Sequence, residues 1–305
     1  MVVFPNNNQG IMDFTIILFY KYVEIDNPEK LRIEQRKLCE RLGLKGRIIV
    51  AKEGINATLE GTTENIEKYL KEFLSDKRFE DTHIKKSKGT GDAFPRLSVK
   101  VRSEIVSLHL EKDVNPNKVT GKHLKPEELK EWYESGKDFV IVDMRNDYEY
   151  KVGRFKNSIM PNLENFRDVP KVLSQLEDLR EKEVVTVCTG GVRCEKASGF
   201  LVREGFKNVY QLDGGIVSYI EKYPAEEFEG SLYVFDKRIL IHFDEESKHV
   251  IVGICEKCEM KSERYVNCKN PLCNKHFICC ENCAEEDGRS FCGDECRNLV
   301  LINRT

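Results

Sequence analysis

One segment decides the fold of this chain: Val184-Val185-Thr186-Val187-Cys188-Thr189-Gly190-Gly191-Val192-Arg193-Cys194-Glu195-Lys196-Ala197. Its β-branched apolar run predicts a buried strand that ends at Cys188. The glycines then predict a tight loop, and the residues from Val192 onward favour a helix. Backbone N–H groups and the dipole at a helix N-terminus attract negative charge, and Arg193 adds a full positive charge. We therefore expect Cys188 to be a catalytic thiolate rather than an ordinary core cysteine, with Arg193 beside it.

The length of the loop narrows the chemistry. Four residues separate Cys188 from Arg193: Thr189, Gly190, Gly191 and Val192. This spacing resembles the active-site loop of rhodaneses, whereas cysteine phosphatases of the related fold have five residues there. The shorter loop encloses a group smaller than phosphate, such as a sulfur atom carried on cysteine. Cys194 either resolves an oxidised Cys188 by disulfide exchange or faces the core, and both interpretations stay open.

Flanking motifs extend the resemblance over residues 123–223, for which we expect a rhodanese-like, doubly wound parallel sheet. The run 139–143 reads as a buried parallel strand, and 208–216 resembles the closing strand and glycine turn of rhodaneses. Asp143, Arg145 and Glu149 lie in the motif at the strand end. We predict that they form a charged network that supports the site, with a direct role as the alternative.

The composition is that of an ordinary globular protein. A net charge of −3 excludes nucleic-acid binding driven by overall charge, so any such contact needs a local basic patch. No apolar run is long enough for a membrane span. Residues 1–13 lack the basic and apolar regions of a signal peptide, and we expect a disordered leader. Twelve cysteines without a secretion signal predict metal binding or catalysis in the reducing cytoplasm.

Residues 14–107 show the order β-α-β-β-α-β, which predicts a ferredoxin-like (acylphosphatase-like) α+β domain. Its closing strand is predicted at 96–101, and the preceding segment 83–96 is basic and interrupted by glycines. That segment is either a loop that contacts a phosphate backbone or a solvated charged loop. The candidate nucleic-acid contacts are Lys85, Lys86, Lys88, Arg96, Lys100 and Arg102.

A linker at 108–122 is predicted between the first two domains, and a β-hairpin connection at 224–254 follows the second. Residues 255–296 are then predicted to form a cysteine-rich metal module. Thiolates two to four residues apart bind one ion tetrahedrally, so two structural zinc ions are expected, with an iron–sulfur cluster as the alternative. The sequence leaves open which of Cys279, Cys280 and His276 stands outside the ligand set. The tail is predicted at 297–305. The candidate ligands are Cys255, Cys258, Cys268, Cys273, His276, Cys279, Cys280, Cys283, Cys292 and Cys296.

The order of these segments resembles the rhodanese-related tRNA uridine hydroxylases. The specific motifs are 52–58, 94–101 and the loop 188–198, followed by the cysteine-rich tail. The resemblance implies oxygen-dependent hydroxylation of the wobble uridine to 5-hydroxyuridine, with molecular oxygen as co-substrate and Cys188 as the essential cysteine. It also implies contact with the anticodon region of tRNA. No flavin or haem motif is visible, and no oligomeric state is predicted.

Two mechanisms for Cys188 follow. In the first, its thiolate adds to C6 of uracil, and Arg193 with the loop N–H groups stabilises the developing enolate oxygen. In the second, the chain is a rhodanese-type sulfurtransferase that carries a persulfide on Cys188. A third interpretation, a scaffold that only binds tRNA or protein, leaves the complete Cys188–Arg193 loop without a role.

Overall fold

The computed structural model describes residues 13–243, 249–285 and 290–302. The chain separates into one unit that ends at Ile105 and a second that begins at Val106. Of the predicted leader all but Asp13 lies outside the described residues, as do residues 303–305 of the predicted tail. None of the helices in the described ranges combines the length and apolarity that a membrane crossing needs.

The first unit is a five-stranded sheet with two helices. Its strand order is β4-β1-β3-β2-β5, and every neighbouring pair is antiparallel except β2 and β5. The helices pack their apolar side chains against the sheet around Phe19, Tyr69 and Phe73. The elements are β1 (Phe14–Tyr22), α1 (Pro28–Arg41), β2 (Lys45–Ala51), β3 (Gly54–Thr62), α2 (Thr63–Phe73), β4 (Lys85–Lys88) and β5 (Leu97–Val101).

The strand that closes the ferredoxin-like topology is β4, so the prediction that 96–101 closes it was wrong. β4 pairs with β1, whereas Leu97–Val101 forms an additional edge strand parallel to β2. The sequence of β4 lacks the apolar alternation that indicates a strand. It is held by its pairing with β1 and by burial of Lys85, whose ammonium lies 5.7 Å from the ring centre of Tyr20.

A buried glutamate organises the segment between β4 and β5. Glu60 is 2% exposed, and its carboxylate accepts hydrogen bonds of 2.8 Å from the backbone N–H groups of Thr90, Gly91 and Ala93. These N–H groups are therefore directed at Glu60 rather than at solvent. The contact with a phosphate backbone that was predicted for this segment can therefore not use these three N–H donors.

The second unit contains a four-stranded parallel sheet in the order β6-β10-β9-β7. Both faces are covered, as a parallel sheet requires, by separate apolar clusters. The elements are β6 (Lys122–Leu124), α3 (Pro126–Glu134), β7 (Val140–Asp143), α4 (Asp147–Tyr150), β8 (Gly153–Phe155), a 3-10 segment (Phe166–Leu179), β9 (Glu183–Val187), α5 (Val192–Arg203), β10 (Asn208–Leu212) and α6 (Gly215–Lys222).

Short strands connect this sheet to the cysteine-rich region. β11 pairs with β8, and β12 pairs with β13 to form a hairpin within the predicted connection at 224–254. The last helix begins inside the predicted module and continues through the predicted tail to Ile302. The elements are β11 (Phe228–Gly230), β12 (Leu232–Tyr233), β13 (Leu240–Ile241), β14 (Tyr265–Asn267), β15 (His276–Ile278) and α7 (Asp294–Ile302).

The Glu60 contacts make a prediction about local stability. Glu60→Ala removes three charge-assisted hydrogen bonds and leaves three donors unpaired, at a cost of about 2–4 kcal/mol. We expect backbone amide exchange at residues 90–93 to accelerate strongly in hydrogen-exchange mass spectrometry. Glu64→Ala, a change at an exposed residue that pairs with Lys68, should leave exchange there unchanged. Equal protection of residues 90–93 in the wild type and Glu60→Ala would contradict the assignment.

Candidate active site and cysteine groups

The thiol of Cys188 is delivered by β9, an interior strand of the parallel sheet, flanked by β10 and β7. The loop after it turns into α5 at Gly191, which adopts φ +99°. A residue with a side chain is strained at this angle, so glycine is needed here. The backbone N–H of Gly191 donates to Cys188 Sγ at 3.2 Å. The predicted strand, tight loop and helix thus meet at the sulfur atom.

The glycine turn after β10 holds the loop from behind. Backbone N–H groups of Ile216 and Val217 donate to the carbonyl oxygens of Cys188 and Thr189, at 2.9 and 3.1 Å. Gly215 lies so close that a Cβ atom there would come within 2.6 Å of the Cys188 carbonyl oxygen. The sequence motif at 208–216 therefore has a mechanical role, because only glycine permits this approach.

A buried ion pair links the loop to α4. Arg193 contacts both carboxylate oxygens of Glu149, with Nη1–Oε1 2.5 Å and Nη2–Oε2 2.8 Å. The hydroxyl of Thr189 donates to the same carboxylate at 3.2 Å. Burial alone would raise the pKa of Glu149, but the charge of Arg193 outweighs it and lowers that pKa. Glu149 is therefore ionised and fixes Arg193 through two hydrogen bonds.

Asp143 and Arg145 form a second buried pair beside the first. Both side chains are fully buried, and Arg145 Nη2 lies 2.6 Å from Asp143 Oδ2. Arg145 also donates to the carbonyl oxygens of Gly153, at 2.7 Å, and Glu149, at 3.4 Å. The structure thus brings Asp143, Arg145 and Glu149 together behind the loop. None of the three is recorded in contact with Cys188 Sγ among the described hydrogen bonds, and these contacts favour the supporting role.

The surroundings of Cys188 lower the pKa of its thiol. Its burial disfavours the thiolate, but the Cys194 thiol, the charge of Arg193 and backbone N–H groups outweigh burial and lower the pKa of Cys188 to about 6. Burial and the neighbouring thiolate raise the pKa of Cys194 well above its ordinary value. Cys194 is therefore a protonated donor to Cys188 at neutral pH. This contact suits either proposed role of Cys194.

The cysteine-rich region contains two interleaved groups of four thiols. The first cysteine group is Cys255, Cys258, Cys280 and Cys283, and the second is Cys268, Cys273, Cys292 and Cys296. Within each group the sulfur atoms all lie within 4.8 Å of one another. Backbone N–H groups of Cys280 and Cys292 approach Cys255 Sγ and Cys268 Sγ at 3.4 Å. Four convergent thiols with N–H donors suit a tetrahedral metal ion.

His276 and Cys279 belong to neither cysteine group in the described residues, so both drop out of the predicted ligand set. His276 stacks on Tyr265 with a ring-centre distance of 4.6 Å, and its Nδ1 lies 2.9 Å from Asn267 Oδ1. Cys279 is fully buried in an apolar cluster with Phe277. The sequence could not exclude them, because the excluding contacts come from β14 and from core packing.

The candidate nucleic-acid contacts do not form one patch. Lys85, Lys86 and Lys88 lie on β4, whereas Lys100 lies on β5 and is flanked by Arg96 and Arg102. These strands are opposite edges of the sheet, four strand spacings or about 19 Å apart. Lys85 is buried, and Lys86 pairs with Glu67 at 2.5 Å. The six residues remain candidates only as two separate groups.

Sequence reasoning missed how the connection at 224–254 contacts Arg193 and how the cysteine-rich region contacts α4. The ring of Phe235 lies 5.8 Å from the Arg193 guanidinium carbon and is 44% exposed. Tyr265 donates its hydroxyl to the backbone carbonyl of Tyr148 on α4, and Tyr148 packs edge-on against Tyr233. The aromatic residues at 233, 235 and 265 were visible in the sequence, but the sequence did not indicate which residues they contact.

Buried polar residues behind α5 were also missed. Lys196 is fully buried and donates to Asp113 at 3.0 Å. Glu195 accepts from Gln211 at 2.9 Å and from Thr120 at 3.0 Å. Lysine and glutamate at consecutive positions of a buried helix were the available signal, since such residues are buried only when paired. These contacts anchor α5 and with it the loop.

The low pKa of Cys188 can be measured by alkylation. We expect its reaction with iodoacetamide, followed peptide by peptide, to rise through an inflection near pH 6, because the thiolate reacts. The double variant Arg193→Gln/Glu149→Gln keeps the polar contact without charge and should move the inflection upward. Cys39, whose pKa burial raises to about 12, serves as an unreactive internal reference. An inflection near the ordinary thiol value in the wild type would refute this environment.

Three family models match successive parts of the chain: "UPF0176 acylphosphatase like domain" over residues 14–105, "Rhodanese-like domain" over 125–222 and "Rhodanase C-terminal" over 229–297. A solution NMR structure of a rhodanese-like domain from Anabaena is 24% identical and covers 36% of this chain and 80% of that chain, with a TM-score of 0.31.

Curated relatives extend over nearly the whole sequence. A protein of Bacillus licheniformis named tRNA uridine(34) hydroxylase is 46% identical, covering 93% of this chain and 88% of the relative. One of Cytophaga hutchinsonii with the same name is 44% identical, covering 93% and 90%. These matches confirm the predicted fold class and the resemblance that was inferred from the motifs. This chain belongs to the family of the tRNA uridine(34) hydroxylases.

Proposed function

We propose that the chain hydroxylates uridine 34 of tRNA, using molecular oxygen as co-substrate and Cys188 as its nucleophile, in the cytoplasm where tRNA is found. The observation that carries the proposal is the Cys188 sulfur at the β9–α5 turn, where it accepts from the Gly191 N–H, in a chain whose relatives bear the name of this reaction. The sulfurtransferase alternative rests only on the general rhodanese-like fold. No contact in the described residues favours it.

In the proposed mechanism the Cys188 thiolate adds to C6 of uracil. The new S–C6 bond makes C5 nucleophilic, and C5 then attacks an electrophilic oxygen atom derived from molecular oxygen. The second oxygen atom leaves as water, and an external two-electron donor with two protons completes the balance. Loss of the C5 proton and cleavage of the S–C6 bond restore the ring double bond and free the enzyme. The protonated Cys194 thiol keeps the departing sulfur anionic and hydrogen-bonded. Arg193, held by Glu149, supplies positive charge while the ring carries an enolate.

Access to Cys188 sets the requirement on the substrate. The sulfur-bearing residue is fully buried, and within the loop only Thr189 and Val192 retain partial exposure. A nucleobase reaches such a thiol only when it is unstacked from its neighbours. Phe235, exposed and close to Arg193, offers an aromatic face on which an extruded base can stack. The unpaired anticodon loop of tRNA meets this requirement.

The decisive experiment is nucleoside analysis of total tRNA. The chain is expressed in a host that lacks its own wobble-uridine hydroxylases, and digested tRNA is examined by mass spectrometry. We expect 5-hydroxyuridine with the wild type and none with Cys188→Ala, because the covalent step is lost. Cys39→Ala, a change in the first unit, is the matched control and should retain the product. A rise in thiolated nucleosides instead would favour sulfur transfer, and equal product from Cys188→Ala would refute covalent catalysis.

We further propose that each cysteine group holds one structural zinc ion. Four thiolates satisfy the tetrahedral preference of zinc, and the supporting N–H groups favour the charged thiolate form. The ions would supply folding free energy to a region that contains few apolar residues. All four positions of each group are taken by protein ligands, so the expected role is structural.

Metal content tests this assignment. Cys258→Ser removes one ligand of the first cysteine group and should lower bound zinc by about one ion per chain in elemental analysis, since three remaining ligands bind far more weakly. Cys279→Ser changes a neighbouring cysteine outside both groups and should keep the wild-type content. A loss of zinc in Cys279→Ser but not in Cys258→Ser would reverse the ligand assignment, and bound iron with sulfide would replace zinc by a cluster.

A further inference from the structure

Two histidines and a glutamate converge at a third position, which neither cysteine group includes. The ligand atoms of His242, His249 and Glu263 all lie within 4.8 Å of one another. The two imidazole rings meet edge to face with centres 4.4 Å apart. We call these three residues the histidine–glutamate group. They come from the segment after β13 and from the residues before β14, so the chain fold, not sequence proximity, assembles them.

The hydroxyl of Ser231 lies at the centre of this group. It donates to Glu263 Oε1 at 2.9 Å and lies 2.9 Å from His242 Nδ1 and 3.4 Å from His249 Nε2. His249 Nε2 lies 2.9 Å from the other carboxylate oxygen of Glu263. Two imidazole nitrogens and two carboxylate oxygens thus face one point, instead of pointing apart into solvent.

The backbone around the group is packed tightly enough to fix these positions. Ser231 is fully buried, and its N–H donates to Val152 O at 2.8 Å. Gly153 and Gly253 approach the carbonyl oxygens of Ser231 and Ser262 so closely that a Cβ atom would lie within 2.2 and 2.3 Å of them. The side chains of His249 and Glu263 are 13% and 11% exposed, whereas His242 is exposed. The backbone at Ser231 and Ser262 is therefore closely packed, and the group is accessible on the side of His242.

We propose that the histidine–glutamate group binds a divalent first-row transition-metal ion. Two neutral imidazoles and one carboxylate are a ligand set that both zinc and iron(II) accept, and they leave coordination positions open for water or another small ligand. Glu263 supplies the negative charge, and the hydrogen bond from Ser231 orients its carboxylate. This set is chemically distinct from the all-thiolate cysteine groups. The inference does not depend on the proposed hydroxylation.

The convergence of the ligand atoms is what favours metal binding. Each neutral imidazole carries one proton, and hydrogen bonds alone would use it on the nitrogen that faces Ser231 or Glu263. A bound cation instead uses the lone pairs that the other tautomer of each ring presents at these nitrogens, and its charge balances that of Glu263.

Elemental analysis and cobalt spectroscopy of the full chain test the proposal. The wild type, loaded separately with Zn²⁺, with Co²⁺ and anaerobically with Fe²⁺, should bind one equivalent more than Glu263→Gln and His242→Ala. The additional cobalt should lack the sulfur-to-metal charge-transfer absorption that ions in the cysteine groups give. His83→Ala, a histidine of the first unit, is the matched control and should keep the full content.

The variants also report on folding. Retention of the thiolate-bound cobalt absorption in Glu263→Gln, which is nearly isosteric, shows that the cysteine-rich region is intact when the additional equivalent is lost. Equal metal content in the wild type and both variants, with each of the three ions, would overturn the proposal and leave the group as a hydrogen-bonded cluster. Uptake of the additional equivalent as zinc or as iron alone would support it and identify the metal.

Discussion

The buried pair between Glu149 and Arg193 is the interaction on which the second unit depends. It joins the active-site loop to α4, and the Thr189 hydroxyl completes it. Breaking one partner would leave an uncompensated buried charge, a cost of about 3–5 kcal/mol. The same pair places a positive charge near Cys188, so stability and thiol acidity share one source. The adjoining Asp143–Arg145 pair extends this charged support toward β8.

The cysteine-rich region is coupled to this support through aromatic packing. Tyr148 precedes Glu149 on α4, and it contacts Tyr233, His276 and, through its carbonyl, Tyr265. The region that contains the two cysteine groups thus contacts the short helix that carries Glu149. We infer that the module restrains the geometry of the loop through α4, since none of its described hydrogen bonds reaches Cys188 Sγ.

Local sequence signals predicted the features that depend on local chemistry. The run before Cys188, the glycines after it and the paired cysteines fixed the loop, the strand and the module, because each signal lies within a few residues of what it specifies. The place of β4, the exclusion of His276 and Cys279, and the division of the basic residues between two sheet edges depend on contacts between distant segments. The lysine-rich sequence of β4 lacks the apolar alternation that indicates a strand, and the strand becomes evident only from its pairing with β1. The histidine–glutamate group was missed for the same reason.

The interleaving of the two cysteine groups constrains the order in which the region can fold. Eight cysteines could be divided into two groups of four in several ways, and only one division matches the folded structure. The β14–β15 hairpin prevents this, because the antiparallel pairing of Asn267 with His276 and of Tyr265 with Ile278 sends Cys268 and Cys280 to opposite ends. Cys280 thereby meets Cys255 and not Cys268. The hairpin thus determines which cysteines meet in each group. If the cysteines bound a metal ion in another combination before the hairpin formed, the ion would have to dissociate before the native arrangement could form.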